Sequence, residues 1–168
     1  LLAEKVDSAE QAAYCQALGF DLFQGYYFAR PSVLSARRAD PAQVALTQLL
    51  AATRGRMMEL LAGKQQCSAD YCDEGFMAGI LSLIDVLIDR PLADIIGELG
   101  LGERLAAALL RREGEMGALL QLVESVEHHD LSRTLSLLAQ CGGLSLSELT
   151  MAEIEAMCWA NQVAEATA

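Results

Sequence analysis

The densest run of groups able to hold a metal or move a proton is Glu127-His128-His129-Asp130. Neighbouring histidines on a helix point about 100° apart, so they do not converge on one ion. Their place at a helix end, ahead of a new cap at Asp130, fits imidazoles meeting the negative end of a helix dipole. Cys67 and Cys72 are the one close cysteine pair. Tetrahedral zinc needs four ligands, and neither Cys141 nor the histidines lie at short spacing from them, so we expect no structural metal. "GLGERL" (100–105) and "GEMGALL" (114–120) have the look of phosphate-cradling loops, but neither carries the lysine and hydroxyl of such a loop or follows a strand. They read as helix starts. No Ser-His-Asp or Cys-His arrangement can be argued from these positions. Trp159 with Met151 and Met157 on the last helix reads as core packing rather than a docking stripe.

The elements that would position any site divide the chain in two. "LLAEKV" reads as the end of a strand, and "DSAEQAAYCQAL" as a helix capped by Ser8 or Asp7 and stopped by Gly19. "FDLFQGYYF" is then a second strand by its aromatic content, ending before Pro31. Strand, helix, strand within about 30 residues is a βαβ unit, which requires parallel strands and normally has further strands beside it. The opening at Leu1, already inside a strand-like run, leads us to expect a piece of a longer protein. Residues 32–40 are a polar linker, and Asp40-Pro41 gives a cap followed by proline in the first turn. From there the pattern predicts helices near 41–62, 70–88, 91–98, 103–112, 115–128, 131–141 and 147–163, joined by connections short enough for a compact bundle.

Composition supports helices and excludes several functions. Apolar residues make up 53% of the 168 and aromatics only 5%, so the core is Leu, Ala, Ile and Met, which favours helix on helix. Charges or glycines interrupt every apolar stretch well short of the roughly 20 residues of a membrane span. A net charge of −11 repels a phosphate backbone, and the doublets Arg37-Arg38 and Arg111-Arg112 read as solvated helix ends, so duplex nucleic acid is not an expected partner. Five irregularly spaced cysteines and no secretion signal lead to reduced thiols and a cytoplasmic location.

These residues also carry a resemblance. "LLAEKVDSAEQAAYCQALGFDLFQGYYFARP" resembles the last βαβ unit of an EAL domain, the barrel of bacterial cyclic di-GMP phosphodiesterases, with its Ala-Glu-x-Val stretch and its Gln-Gly-Tyr stretch before Arg-Pro. "RGRMMELLA", the stretch from Gly75 to Glu127 and "EAMCWAN" resemble the carboxyl-terminal half of an HDOD module, as found behind such barrels in EAL–HDOD signalling proteins. The expected fold is therefore mainly α: an HDOD-like helical bundle over 41–168, apparently incomplete, preceded over 1–31 by a βαβ remnant of a (β/α)8 EAL barrel. The resemblance also implies about half a domain more of helices than "ADPAQ" supplies between Arg38 and Val44. Either those segments are absent from the protein or the sequence omits them.

In a (β/α)8 barrel the residues past the carboxyl ends of the strands line the active face. Glu4 follows "LLA" and Gln24 follows "DLF". The resemblance implies that Glu4 stands at a carboxylate metal ligand and Gln24 near the guanine nucleotide, with Mg²⁺ or Mn²⁺ as the ion of the parent barrel if that is active and no cofactor in this chain. The remaining ligands and the catalytic lysine of the family belong to earlier strands. Lys5 stands where active relatives have glycine, and Asp7 replaces the usual glutamate. For "EHHD" the resemblance implies loss of the metal-binding His-Asp pair of the related HD phosphohydrolases. The expectation is a non-catalytic regulatory or interaction region of an EAL–HDOD signalling protein, with protein partners or self-association. The alternatives are a fragment of an active cyclic di-GMP phosphodiesterase and a cyclic di-GMP receptor that uses Gln24 without hydrolysis.

Overall fold

The computed structural model describes residues 2–4, 6–20, 22–24, 40–65 and 68–166, with residues 2–4 and 22–24 described as backbone. They belong to two compact units, 1–38 and 39–168. The chain is mainly helical.

In the first unit, α1 (Ala9–Ala17) starts at Ser8, whose hydroxyl accepts from the Gln11 N–H at 3.2 Å. The Gln11 side chain in turn accepts from the Asp7 N–H at 2.8 Å, a reciprocal cap that fixes the helix start. Of the two residues suited to the cap, Ser8 is used. At the other end Gly19 takes φ +85°, which turns the chain so that the Phe20 N–H reaches the Cys15 carbonyl at 3.1 Å. On either side lie β1 (Leu2–Glu4) and β2 (Leu22–Gln24), paired in parallel with Leu2 opposite Leu22 and Glu4 opposite Gln24. The order strand, helix, strand is the expected one. Two strands of three residues do not identify a barrel, so the barrel-remnant part of the expected fold gains no support from the fold itself. The aromatic run Tyr26, Tyr27, Phe28 and the linker up to residue 39 lie outside the described residues.

The second unit holds α2 (Pro41–Gln65), α3 (Ala69–Leu81), α4 (Ile84–Ile88), α5 (Leu92–Leu99), α6 (Glu103–Arg111), α7 (Gly114–Glu127), α8 (Leu131–Gln140) and α9 (Leu146–Ala166). The caps read from sequence are present: the Asp40 carboxylate accepts from the Ala42 N–H at 3.1 Å, and Pro91 precedes α5. α2 packs on α3 and α9, and α7 on α6 and α8. Met58 and Leu61 of α2, Leu109 of α6, Leu119, Leu120 and Leu122 of α7 and Leu149 of α9 are fully buried and form one core. Among the described residues no helix is long and apolar enough to cross a membrane.

Three boundaries differ from the sequence pattern by more than a residue, one being the end of α9 at Ala166, three residues past the expected 163. α2 runs to Gln65, three residues past the expected end. The helix expected over 70–88 is two helices, broken at Ser82 and Leu83. There the Ser82 hydroxyl donates to the Gly79 carbonyl at 2.6 Å and accepts from Arg54 at 2.7 Å, bonds that hold the serine inside rather than along a continuing helix.

α9 opens on a capping box. The N–H and hydroxyl of Ser145 donate to the Glu148 carboxylate at 3.0 and 2.8 Å, and the Glu148 N–H donates to the Ser145 hydroxyl at 3.2 Å. Donation first from the Ser145 side chain and then from its backbone holds the Glu148 carboxyl below the usual carboxylate range. A folded-state pKa below the unfolded one means that the cap contributes fully above the ordinary carboxylate pKa of about 4.3 and is lost as pH falls through the lowered value. Amide exchange at Ser145 and Glu148, corrected for intrinsic rates, is therefore expected to quicken on acidification. The Glu148→Gln chain should show a pH-flat profile; an equal acid response in that variant would assign the loosening to another group.

Candidate functional site

Glu4 and Gln24 end neighbouring parallel strands and are register partners, so the backbone sets both at the same carboxyl edge of the pair. That is the edge at which parallel α/β structures collect ligand-facing residues. As a donor set, one carboxylate and one amide do not fit Mg²⁺ or Mn²⁺, because such hard cations take an octahedron of oxygens from several carboxylates, carbonyls and waters. Among the described residues no three of His, Cys, Asp and Glu come together in a group that could hold a metal.

The four residues of "EHHD" are turned to four separate tasks. Glu127 faces inward onto Arg54. His128 is the C-cap of α7, its Nδ1 lying 2.6 Å from the Glu124 carbonyl, where that nitrogen donates. His129 turns the chain at φ +55°, and the Asp130 carboxylate caps α8 by accepting from the Arg133 N–H at 3.0 Å. Gly102 is the N-cap of α6, and Gly114 opens α7 at φ +73°, so both glycine runs are helix starts. Cys67 lies outside the described residues, and Cys72 is a free, half-buried thiol.

Two expectations need correction. Met151 and Met157 are 62% and 52% exposed, not core. The buried face of α9 is Leu149, Ala152, Ala156 and Ala160, spaced three, four and four apart, and the two methionines fall off that stripe. Trp159 alone of the three packs against another ring, edge-on to Phe76 at 5.9 Å. The Arg111-Arg112 doublet is also not simply a solvated end. Arg111 is exposed and pairs with Glu103 and Glu113, whereas Arg112, at φ +57°, folds back onto the Leu109 carbonyl and grips Glu124.

Sequence reasoning missed the charged cluster to which Arg112 belongs. Arg54 is only 5% exposed, and its fork meets Glu127 through Nε at 2.9 Å and Nη2 at 2.5 Å, while Nη1 donates to Ser82 at 2.7 Å. Glu124 stands 3.8 Å from Arg54 and accepts from Arg112 at 2.8 Å. Two guanidinium and two carboxylate groups thus tie α2, the turn after α3, the end of α6 and α7 together with no net charge. A signal existed: Arg54, Met57, Met58, Leu61 and Ala62 follow helical spacing, so the arginine sits on the buried stripe of α2. With every charge matched, the cluster is a structural tie rather than a reactive site.

A cavity of about 440 Å³ opens where α2, α7 and α8 meet, lined by Gln65, Glu115, Ala118, Gln140 and Cys141. Burial pushes the Cys141 thiol up, which disfavours the thiolate that a nucleophile needs. Outside the cavity lining, burial first, then the field of Glu115, raises the Tyr71 phenol, whose hydroxyl has no hydrogen-bond partner among the described residues. Neither of these two groups is activated for attack.

The chain is similar, at 20% identity over 96% of its length, to the cyclic di-GMP phosphodiesterase CdgJ of Vibrio cholerae, of which it covers 56%. It is also 26% identical over 98% of its length to the uncharacterized protein YuxH of Bacillus subtilis, of which it covers 38%. It therefore spans about half or less of these relatives. The match to CdgJ runs over 242 residues against the 168 of this chain, so CdgJ carries at least 74 residues (242 less 168) within the matched span that this chain lacks. The match to YuxH runs over 167 residues. No family model matches the chain, and no solved structure does.

Proposed function

We propose that this chain is a regulatory and interaction region of a bacterial EAL–HDOD signal transduction protein, cytoplasmic, tied to cyclic di-GMP signalling and without catalysis of its own. The observation that carries the reading is the similarity along 96% of the chain to a cyclic di-GMP phosphodiesterase. In this reading residues 1–31 are the end of an EAL barrel, with Gln24 beside the nucleotide and Glu4 as one member of a metal set completed elsewhere; the resemblance of their sequence carries that assignment, and the register pairing of Glu4 with Gln24 is compatible with it. The helical unit is the HDOD-like part. A second reading, a fragment of an active phosphodiesterase, is favoured by the name of that relative and places the missing carboxylates and lysine outside this sequence.

Incubation of the purified chain with cyclic di-GMP and excess Mg²⁺ or Mn²⁺ is expected to yield no linear product, because one carboxylate and one amide neither complete a coordination sphere nor position a water. Turnover that Glu4→Ala abolishes would overturn the non-catalytic reading. Titration with cyclic di-GMP without added metal tests the receptor alternative: saturable binding lost in Gln24→Ala would replace a purely protein-binding role.

A further inference from the structure

Three cavities of about 290, 250 and 240 Å³ adjoin along α2 and α9, Leu49 bordering the first and second, and Val126 and Glu153 the second and third. Together they form one trough. Its walls leave Leu46 67% and Leu131 64% exposed, with Leu50, Leu146 and Met157 also open to solvent. Along α2 the trough runs from Ala45 to Met57, about 18 Å at 1.5 Å per residue, the length of a three-turn helix.

Charge says what kind of helix. Residues 1–38 hold four acids and four bases, so the whole net charge of −11 lies on 39–168, with 19 acids against 8 bases. Arg54, Arg56, Arg90, Arg104, Arg111 and Arg112 are already paired with glutamates. The charged groups lining the second cavity are Glu127, Glu153 and Arg54, and Arg54 is locked onto Glu127. A second copy of this chain would bring its own excess of 11 negative charges to an acidic rim.

We propose that the α2–α9 trough receives an amphipathic helix of a partner protein that lays an apolar face between Leu46 and Met157 and a basic edge along Glu153. Helix-in-groove recognition of this kind needs an apolar groove and a matching charge at its edge; the trough offers Leu46, Leu49, Leu50 and Met157 for the first and the Glu153 carboxylate, on an acidic unit, for the second. The inference names the partner of the interaction role proposed above and rests on that reading only in assuming that a partner exists. The hydrolysis assay reads Glu4 and the trough assay reads α2 and α9, so the two can fail separately.

The test uses two synthetic helical peptides of about 14 residues with the same leucine face, one edged by lysine and one by glutamate, titrated into the whole chain with methyl resonances followed. The lysine peptide is expected to bind, to shift the Met57 and Met157 methyls and to weaken with added salt; the glutamate peptide should bind about tenfold or more weakly. Leu46→Glu and Met157→Glu, at exposed sites that keep the fold by thermal unfolding, should each weaken the lysine peptide about tenfold. Should either variant unfold, the methyl shifts in the unaltered chain decide the site. Equal binding of both peptides, binding that ignores the two substitutions, or shifts confined to other methyls would overturn the proposal. So would light scattering that finds a dimer dissolved by Leu46→Glu, which would make a second copy the occupant.

Discussion

Replacing Arg54 by methionine is expected to lower the unfolding free energy of the chain by about 3 kcal/mol, the lower end of what breaking a buried ion pair costs. The size follows from what is left behind. Glu127, 17% exposed, loses a two-pronged partner and keeps its charge, and Ser82 loses the donor that holds it inside. Arg54→Lys should recover little, since a point charge cannot reproduce the fork that spans Glu127 and Ser82 together. Arg54→Met with Glu127→Met should recover most of the loss, because the destabilisation lies in the orphaned carboxylate and not in a missing attraction. Urea unfolding of the four chains reads this directly. A single-variant loss below about 1 kcal/mol would place the pair with ordinary surface ion pairs and refute the tie between α2 and α7.

How far the sequence foretold the structure depends on the range of the interaction concerned. Caps and stops are local, so Ser8, Gly19, Asp40, Pro91 and Asp130 were legible from their immediate neighbours. The break after Leu81 was not, because Ser82 is held by Arg54, 28 residues earlier in the chain. For the same reason the charged cluster escaped notice. Its four members stand far apart in the chain, Arg54 on α2, Arg112 after α6 and Glu124 and Glu127 on α7, and only packing reveals that they meet. Met151 and Met157 were misplaced by counting apolar residues without following the stripe of small residues Ala152, Ala156 and Ala160 that seats α9. Of the candidate site, the strand–helix–strand order that brings Glu4 and Gln24 into register was legible, whereas the end of the second strand at Gln24 was not, since the predicted strand ran on through the aromatic residues to Phe28.

Gly79→Ala is expected to cost about 3 kcal/mol, at the upper end for overpacking, although alanine favours a helix over glycine by about 1 kcal/mol. A Cβ on residue 79 would lie 2.5 Å from the Gly55 Cα, 2.6 Å from its nitrogen and 2.7 Å from the Arg54 carbonyl carbon. All three are backbone of α2, so no side chain can swing aside, and relief requires α2 and α3 to separate. That separation draws Arg54 away from Ser82, whose two hydrogen bonds, from Arg54 and to the Gly79 carbonyl, the same crossing holds in place. Gly55→Ala should be milder, because its closest contact is the Ile80 Cγ1 at 2.9 Å, the branch of a side chain that can rotate, with the Phe76 carbonyl at 3.1 Å behind it. Gly97→Ala on α5 has nothing within 4 Å of the new methyl and should gain up to about 1 kcal/mol from helix propensity alone. Combined with Arg54→Met, Gly79→Ala should cost less than the sum of the two, since each loosens the same crossing. Strict additivity of that pair, or a stability gain at Gly79 matching that at Gly97, would mean that α2 and α3 do not meet through these glycines.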